Sequence, residues 1–210
     1  IIASGGNAAI LHYIDNDREM RSGDLLLIDA GCEYDFYASD VTRTFPIGAR
    51  FNRLQRDLYE IVLAAQLKAI ETIKPGVKFD DPHDAAVKIL VDGMCSVGLL
   101  KESPEEALKS GSYRRYYMHR TSHWLGMDVH DVGLYRTGGQ SRTLEPGMVL
   151  TAEPGIYIAP DNEQAPEEFR GIGIRIEDDV LVTPEGAEVL TSAVPKAVSE
   201  VESLTTSHLS

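Results

Sequence analysis

The stretch DLLLIDAGCEYDFYASDVTRTF, residues 24–45, decides the fold. Asp24 to Gly31 reads as an apolar strand, and Tyr37 to Phe45 alternates well enough to be its partner across a short polar turn. Folding about Tyr34 and Asp35 sets Asp29 opposite Asp40, because the two lie nearly equidistant from that turn. Their β-carbons would then stand about 4.5–5.5 Å apart, where like charges destabilise a strand pair. A cation between them removes the objection. The plain alternative is that each aspartate sits at a strand end, exposed or bonded to a backbone amide.

Downstream, Leu54, Leu58, Ile61, Val62, Ala65, Ala69 and Ile73 recur at helical spacing, and Lys74-Pro75-Gly76 ends the pattern, predicting a helix over Asn52 to Ile73. A second helix starts near Asp81-Pro82, buries Ala86, Ile89, Leu90 and Val97, and ends about Gly98. Ser103-Pro104-Glu105-Glu106 fits a capping box with proline in the first turn of a short third helix. Beyond Gly111 the pattern turns to strands, clearest at Met148 to Ala152 and Gly171 to Val182, and a polar tail follows about Pro195. The expected class is α+β, one domain over residues 1–210, with helices packed on a mainly antiparallel sheet.

Composition narrows the function. With 43% hydrophobic and 25% charged residues, the 210-residue chain is an ordinary folded protein, and no apolar run approaches the roughly 20 residues that span a bilayer. Twenty basic against 33 acidic residues give a net charge of −13, which repels nucleic acid and anionic membranes, so neither is expected as a partner. Part of that acidity could be neutralised by bound cations, which the count ignores. Cys32 and Cys95 form no disulfide framework or paired-cysteine metal motif, which suits a cytoplasmic location.

Four acids occupy positions where packing favours an apolar residue: Asp29 after Leu-Leu-Leu-Ile, Asp40 within a strand, Glu153 after Val-Leu-Thr-Ala, and Glu177 after Ile-Arg-Ile. His119, His123 and His130 crowd into one short stretch, and imidazole both ligates borderline metals and moves protons near neutral pH. Carboxylates with one histidine suit manganese, cobalt, iron or zinc, and four carboxylates suggest two ions. Strand alternation puts Arg175 on the face of Glu177, either as a support for the acidic site or as a plain cross-strand ion pair. Asp178 and Asp179 read as solvated strand-end acids, and Trp124 as core packing.

Five strings in this order, IDAG (28–31), SDVTRTF (39–45), SHWLGMDVHDVG (122–133), EPGIYI (153–158) and GIGIRIEDD (171–179), resemble the catalytic domain of the Xaa-Pro aminopeptidases, which have the pita-bread metallopeptidase fold. The resemblance runs from about Asn7 to beyond Leu190. It implies an α+β pita-bread domain, incomplete at its N-terminus, holding two divalent ions, usually manganese, on Asp29, Asp40, His123, Glu153 and Glu177. Asp40 and Glu177 would bridge the ions, and Glu153 would take a proton from a bridging water whose hydroxide attacks the peptide. His119 and His130 would donate to the substrate carbonyl, and His12 and Arg175 join the expected substrate-binding residues. The implied substrate is a peptide with proline second, and the full-length form is expected to be a homo-oligomer whose N-terminal domain shapes the mouth of the site. Prolidase, methionine aminopeptidase and a non-enzymatic binding module of the same fold are the alternatives. The run from Ala165 to Gly173 looks more like the aminopeptidase than prolidase, and the string from Ser122 to Gly133 is not the usual methionine aminopeptidase form.

Overall fold

A computed structural model describes residues 1–48 and 50–206. Strand β1 (Ile2–Ser4) pairs with β2 (Leu25–Ala30), which pairs in turn with β5 (Val41–Pro46), all antiparallel. Between the last two lies a ribbon of β3 (Glu33–Tyr34) and β4 (Tyr37–Ala38). The hairpin expected over residues 24–45 therefore forms, but in a different register. Tyr34 faces Tyr37, so the turn falls on Asp35 and Phe36, which both have positive φ, 51° and 65°. Two such residues in succession suit the primed turn that matches strand twist, although Phe36 is not a residue that announces it. The pairing slips by two residues and Asp29 stands opposite Thr42 rather than Asp40. An even slip preserves the face, so the two aspartates remain neighbours along a diagonal. Gly31 permits the close approach: a β-carbon there would stand 1.7 Å from the Ser39 carbonyl oxygen.

Helix α1 (Arg53–Thr72) begins at the expected place with a reciprocal cap, the Asn52 side chain accepting from Gln55 N–H while the Gln55 side chain accepts from Asn52 N–H. Helix α2 (Asp81–Ser96) has Pro82 in its first turn, and α3 (Pro104–Ser110) carries the Ser103–Glu106 box read from the sequence. The remaining strands are β6 (Arg136–Thr137), β7 (Gln140–Ser141), β8 (Val149–Ala152), β9 (Gly155–Ile158), β10 (Ile172–Arg175), β11 (Asp178–Thr183) and β12 (Gly186–Val189). Thus the single strand expected over Gly171 to Val182 is two. β10 pairs with β9, whereas β11 lies between β8 and β12. The chain changes partners at Ile176 and Glu177, where Glu177 N–H donates to the Thr42 carbonyl on β5. The expected polar tail contains a helix, α4 (Val198–Thr206), which buries Val201 and places Glu202 against Arg56 and the Phe51 amide.

The main core joins Leu58, Val62, Ala65 and Ala69 of α1 with Ala86, Leu90 and Met94 of α2 and with Ile156, Ile158, Ile172 and Ile174 of the β9–β10 pair. Gly93 lets the two helices close on each other, since a β-carbon there would meet the Ile61 side chain at 2.4 Å. A second cluster packs Phe79, Trp124, Leu144 and Leu150 against Val180 and Val182, so Trp124 is core packing as the sequence suggests. Thr44 ties the sheets together by donating through Oγ1 to the Arg175 carbonyl and accepting from the Arg175 amide. Among the described residues no helix is long and apolar enough to cross a membrane.

Candidate metal centre

Strand ends and strand breaks deliver the acidic residues to one place. Asp29 lies near the end of β2, Asp40 just before β5, Glu153 between β8 and β9, and Glu177 between β10 and β11. His123 precedes Trp124, which bridges to Leu150 of β8, so its segment runs along that strand. Its Nε2 lies 3.5 Å from Asp40 Oδ2, 3.7 Å from Glu153 Oε1 and 3.9 Å from Glu177 Oε1. One donor atom from each of Asp40, His123 and Glu177 falls within a 4.8 Å cluster.

Two details fit this group to a cation. The His123 ring donates through Nδ1 to the Trp124 carbonyl at 3.0 Å, which fixes the tautomer and leaves the Nε2 lone pair facing the carboxylates. Glu177 Oε2 accepts from Thr42 Oγ1 at 2.6 Å, while Oε1, buried, has no hydrogen-bond partner among the described residues. A buried carboxylate oxygen left without a donor is costly unless something positive occupies its lone pairs. The oxygen-rich donors with one imidazole suit a hard or borderline divalent cation.

Without a cation the acids crowd one another. Burial, followed by repulsion from Glu177, pushes the Glu153 carboxyl well above its ordinary range, and burial together with Asp40 does the same to Glu177. Burial also raises Asp29, against the pull of Arg175. Asp40 would be raised by burial as well, yet hydrogen bonding to His123 and Asp29 holds it below its usual value. His123 moves up, because the Asp40 contact and its bond to the Trp124 carbonyl outweigh its own burial. Such a site holds protons that metal binding would displace.

The other residues expected at the site lie around these five. His119 donates through Nδ1 to the Arg120 carbonyl at 2.7 Å and accepts at Nε2 from the Tyr157 hydroxyl at 2.8 Å, with Nδ1 3.7 Å from Glu153 Oε2. Burial pushes its pKa down to about 4, so the ring is neutral. His130 is exposed and meets the His123 ring edge-on at 4.4 Å; partial burial and His123 lower its pKa. His12 is also exposed. Arg175 is buried, and its guanidinium donates to Asp29 Oδ2 at 2.5 Å, to the Tyr157 hydroxyl at 3.1 Å and to Thr42 Oγ1 at 3.2 Å. All of these, with the five acidic and imidazole groups, line one cavity of about 700 Å³.

Asp178 and Asp179 are not solvated: both are buried, and both support the centre. Asp179 accepts from the Asp40 amide at 3.1 Å, and burial raises its pKa to about 6. Asp178 accepts from Arg43, Thr191, Gln66 and Lys196 at 2.6–2.7 Å. Burial alone would raise it, but Arg43 and Lys196 beside it hold it down. Arg43 also donates to the Glu177 carbonyl at 2.6 Å and to the carbonyls of Thr42, Val194 and Pro195. Sequence reasoning missed Arg43. The available signal was a charged residue between Thr42 and Thr44 in a strand that has to be buried; the partners are more than 130 residues away.

Comparison with known proteins agrees with this architecture. The chain is 51% identical over 204 residues to the Xaa-Pro aminopeptidase of Escherichia coli, covering 97% of this chain and 46% of the relative. With that of Haemophilus influenzae it is 50% identical, covering 97% and 47%. Among solved structures, the Pseudomonas aeruginosa aminopeptidase PepP superposes with a TM-score of 0.96 at 54% identity, covering 99% of this chain and 47% of that one. A glutamate-to-alanine variant of Escherichia coli aminopeptidase P in complex with substrate superposes at 0.94 with 50% identity, covering 99% and 47%. The chain thus spans about half the length of the curated relatives it matches, and its fold is the pita-bread fold expected from the sequence. The model of metallopeptidase family M24 matches residues 1–184, and the chain belongs to that family.

Proposed function

We propose that this chain is the metal-binding part of an aminopeptidase that releases the N-terminal residue from peptides with proline in second position. The observation that carries the reading is the unpartnered, buried Oε1 of Glu177, facing His123 and Asp40 in a chain about half identical to proteins named Xaa-Pro aminopeptidase. Asp29, Asp40, His123, Glu153 and Glu177 would hold two divalent ions, with manganese our choice because the donors are mostly carboxylates. Ions bound there supply Lewis acidity, lowering the pKa of a water and polarising a carbonyl.

The chain's own groups would do the rest. Glu153, ionised once cations displace the proton that burial favours, would accept a proton from the attacking water and carry it toward the leaving proline nitrogen. His130, exposed to the cavity, donates to the substrate carbonyl oxygen as charge develops there. His119 lines the same cavity as a neutral ring beside Glu153; with Nε2 engaged by Tyr157, its direct donation to substrate requires that bond to yield. His12, which lines the same cavity, would contact the peptide. Arg175, its three nitrogens committed to Asp29, Tyr157 and Thr42, supports the ligands rather than the peptide. A bond before proline has no N–H to grip, so recognition of its fixed ring rests on the shape of the cavity. We further infer a homo-oligomer in the full-length form, and a cytoplasmic protein with no nucleic-acid or membrane partner; the −13 net charge and two free cysteines support the latter two readings.

The test is manganese-dependent release of the first residue from a tripeptide with proline second, run beside the matching Xaa-Pro dipeptide. Cleavage of the tripeptide is the expected result. Cleavage of the dipeptide alone would move the assignment to prolidase, and failure to bind divalent metal would leave a binding module.

A further inference from the structure

Two arginines line the same cavity as the acidic centre without contacting its carboxylates. Arg120 and Arg136 converge on one carboxylate, Asp80, with Arg136 Nη2 3.4 Å from Oδ2 and Arg120 paired to Oδ1. Arg136 also donates through Nη1 to the Gly139 carbonyl at 3.4 Å, but the arginine side chains are 53% and 63% exposed against 28% for Asp80, and both line the cavity with donors to spare. Phe79 and Tyr135 line the cavity beside them, packed ring to ring at 5.0 Å. As a stabilising device this triad is weak, because exposed ion pairs contribute little. As a charge arrangement it is specific: in a chain with net charge −13, two cations share one anion in the same cavity that holds the metal-binding carboxylates. Once divalent ions neutralise those carboxylates, the arginines are in excess of Asp80. A planar guanidinium pair matches the two oxygens of a carboxylate.

We propose that Arg120 and Arg136 form a carboxylate-reading subsite for the leaving side of the peptide, favouring substrates that carry a negative group just after the proline. This rests on the aminopeptidase reading for its orientation. The shared chemistry is a carboxylate, supplied either by the C-terminus of a short peptide or by an acidic side chain in third position.

Calorimetry on the manganese-loaded protein with Pro-Leu and with Pro-Leu amide tests binding apart from turnover. The free acid is expected to bind about tenfold more tightly than the amide. The double variant Arg120→Gln, Arg136→Gln should erase that gap while leaving the affinity for the amide unchanged, which also controls for any disturbance of the neighbouring His119. Steady-state rates on Ala-Pro-Glu amide and Ala-Pro-Gln amide separate the two sources: a lower KM for the glutamate peptide assigns the side chain, and a preference confined to free acids assigns the C-terminus. Equal binding of acid and amide, together with equal KM for the two amides, overturns the subsite. A binding gap without cleavage of any peptide would refute the aminopeptidase reading and leave the subsite standing.

Discussion

The two oxygens of Glu177 have opposite surroundings, and Thr42 makes the difference. Its hydroxyl satisfies Oε2 and itself accepts from Arg175, so one hydroxyl orients the proposed ligand Glu177 and links it to the guanidinium that holds Asp29. Because Thr42 is fully buried and its backbone belongs to a ladder, Thr42→Val removes the hydroxyl while keeping the shape. The variant should bind divalent metal about 10–100-fold more weakly, the usual consequence of losing a group that orients a ligand. Metal titration followed by calorimetry measures it, and wild-type affinity in a folded Thr42→Val protein would remove Thr42 from the account. Gly31 sets a second constraint at this scale. With Ser39 O where a β-carbon would lie, Gly31→Ala must push β2 and the residues before β5 apart, and it should cost about 1–3 kcal/mol in denaturant unfolding.

Among the elements, β5 turns one face to the centre through Thr42 and the other to a buried charge network through Arg43. That arginine pins β5 to β11 and to the segment leading into α4, through Asp178 and the carbonyls of Val194 and Pro195. Arg43→Met should therefore destabilise the protein by about 3–5 kcal/mol, since a buried carboxylate loses a charged partner. Adding Asp178→Asn should restore part of the loss, and a cost below about 1 kcal/mol for Arg43→Met alone would mean that Lys196 suffices. The same network shows where sequence reading stops. Helices α1, α2 and α3 were legible because caps, prolines and apolar spacing are local signals. Asp29, Asp40, Glu153 and Glu177 stood out as acids in apolar runs, and the structure gathers them. Asp178 and Asp179 were misread because each looks like a strand-end acid until the distant residues that surround it are in place. The hairpin register failed on Phe36, whose positive φ no local preference signals.

Across the whole molecule, pH acts on stability through groups of opposite sign. Glu153 and Glu177, raised in the folded state, hold protons there that the unfolded chain releases; their contribution is full below the ordinary carboxylate value of 4.5 and is lost as pH rises. His83, bonded through Nδ1 to Thr121, is depressed to about 4 by burial and then by Arg120, so its contribution is present above 6.5 and lost as pH falls toward 4. A single stability curve mixes the two. The difference between metal-loaded and chelator-treated protein separates them, because His83 is outside the centre and cancels. With Glu153 and Glu177 as the proposed ligands, metal binding would expel their protons, so the thermal shift produced by manganese should grow as pH rises from about 5 to about 7.5. At free metal roughly a hundredfold above Kd, it should reach about 5–10 °C. Asp40→Ala should abolish the shift at every pH while leaving the His83-dependent fall in acid intact. A manganese shift of the same size across that range would mean that the carboxylates are already ionised before the metal arrives, and the proton-holding account of the centre would have to be given up.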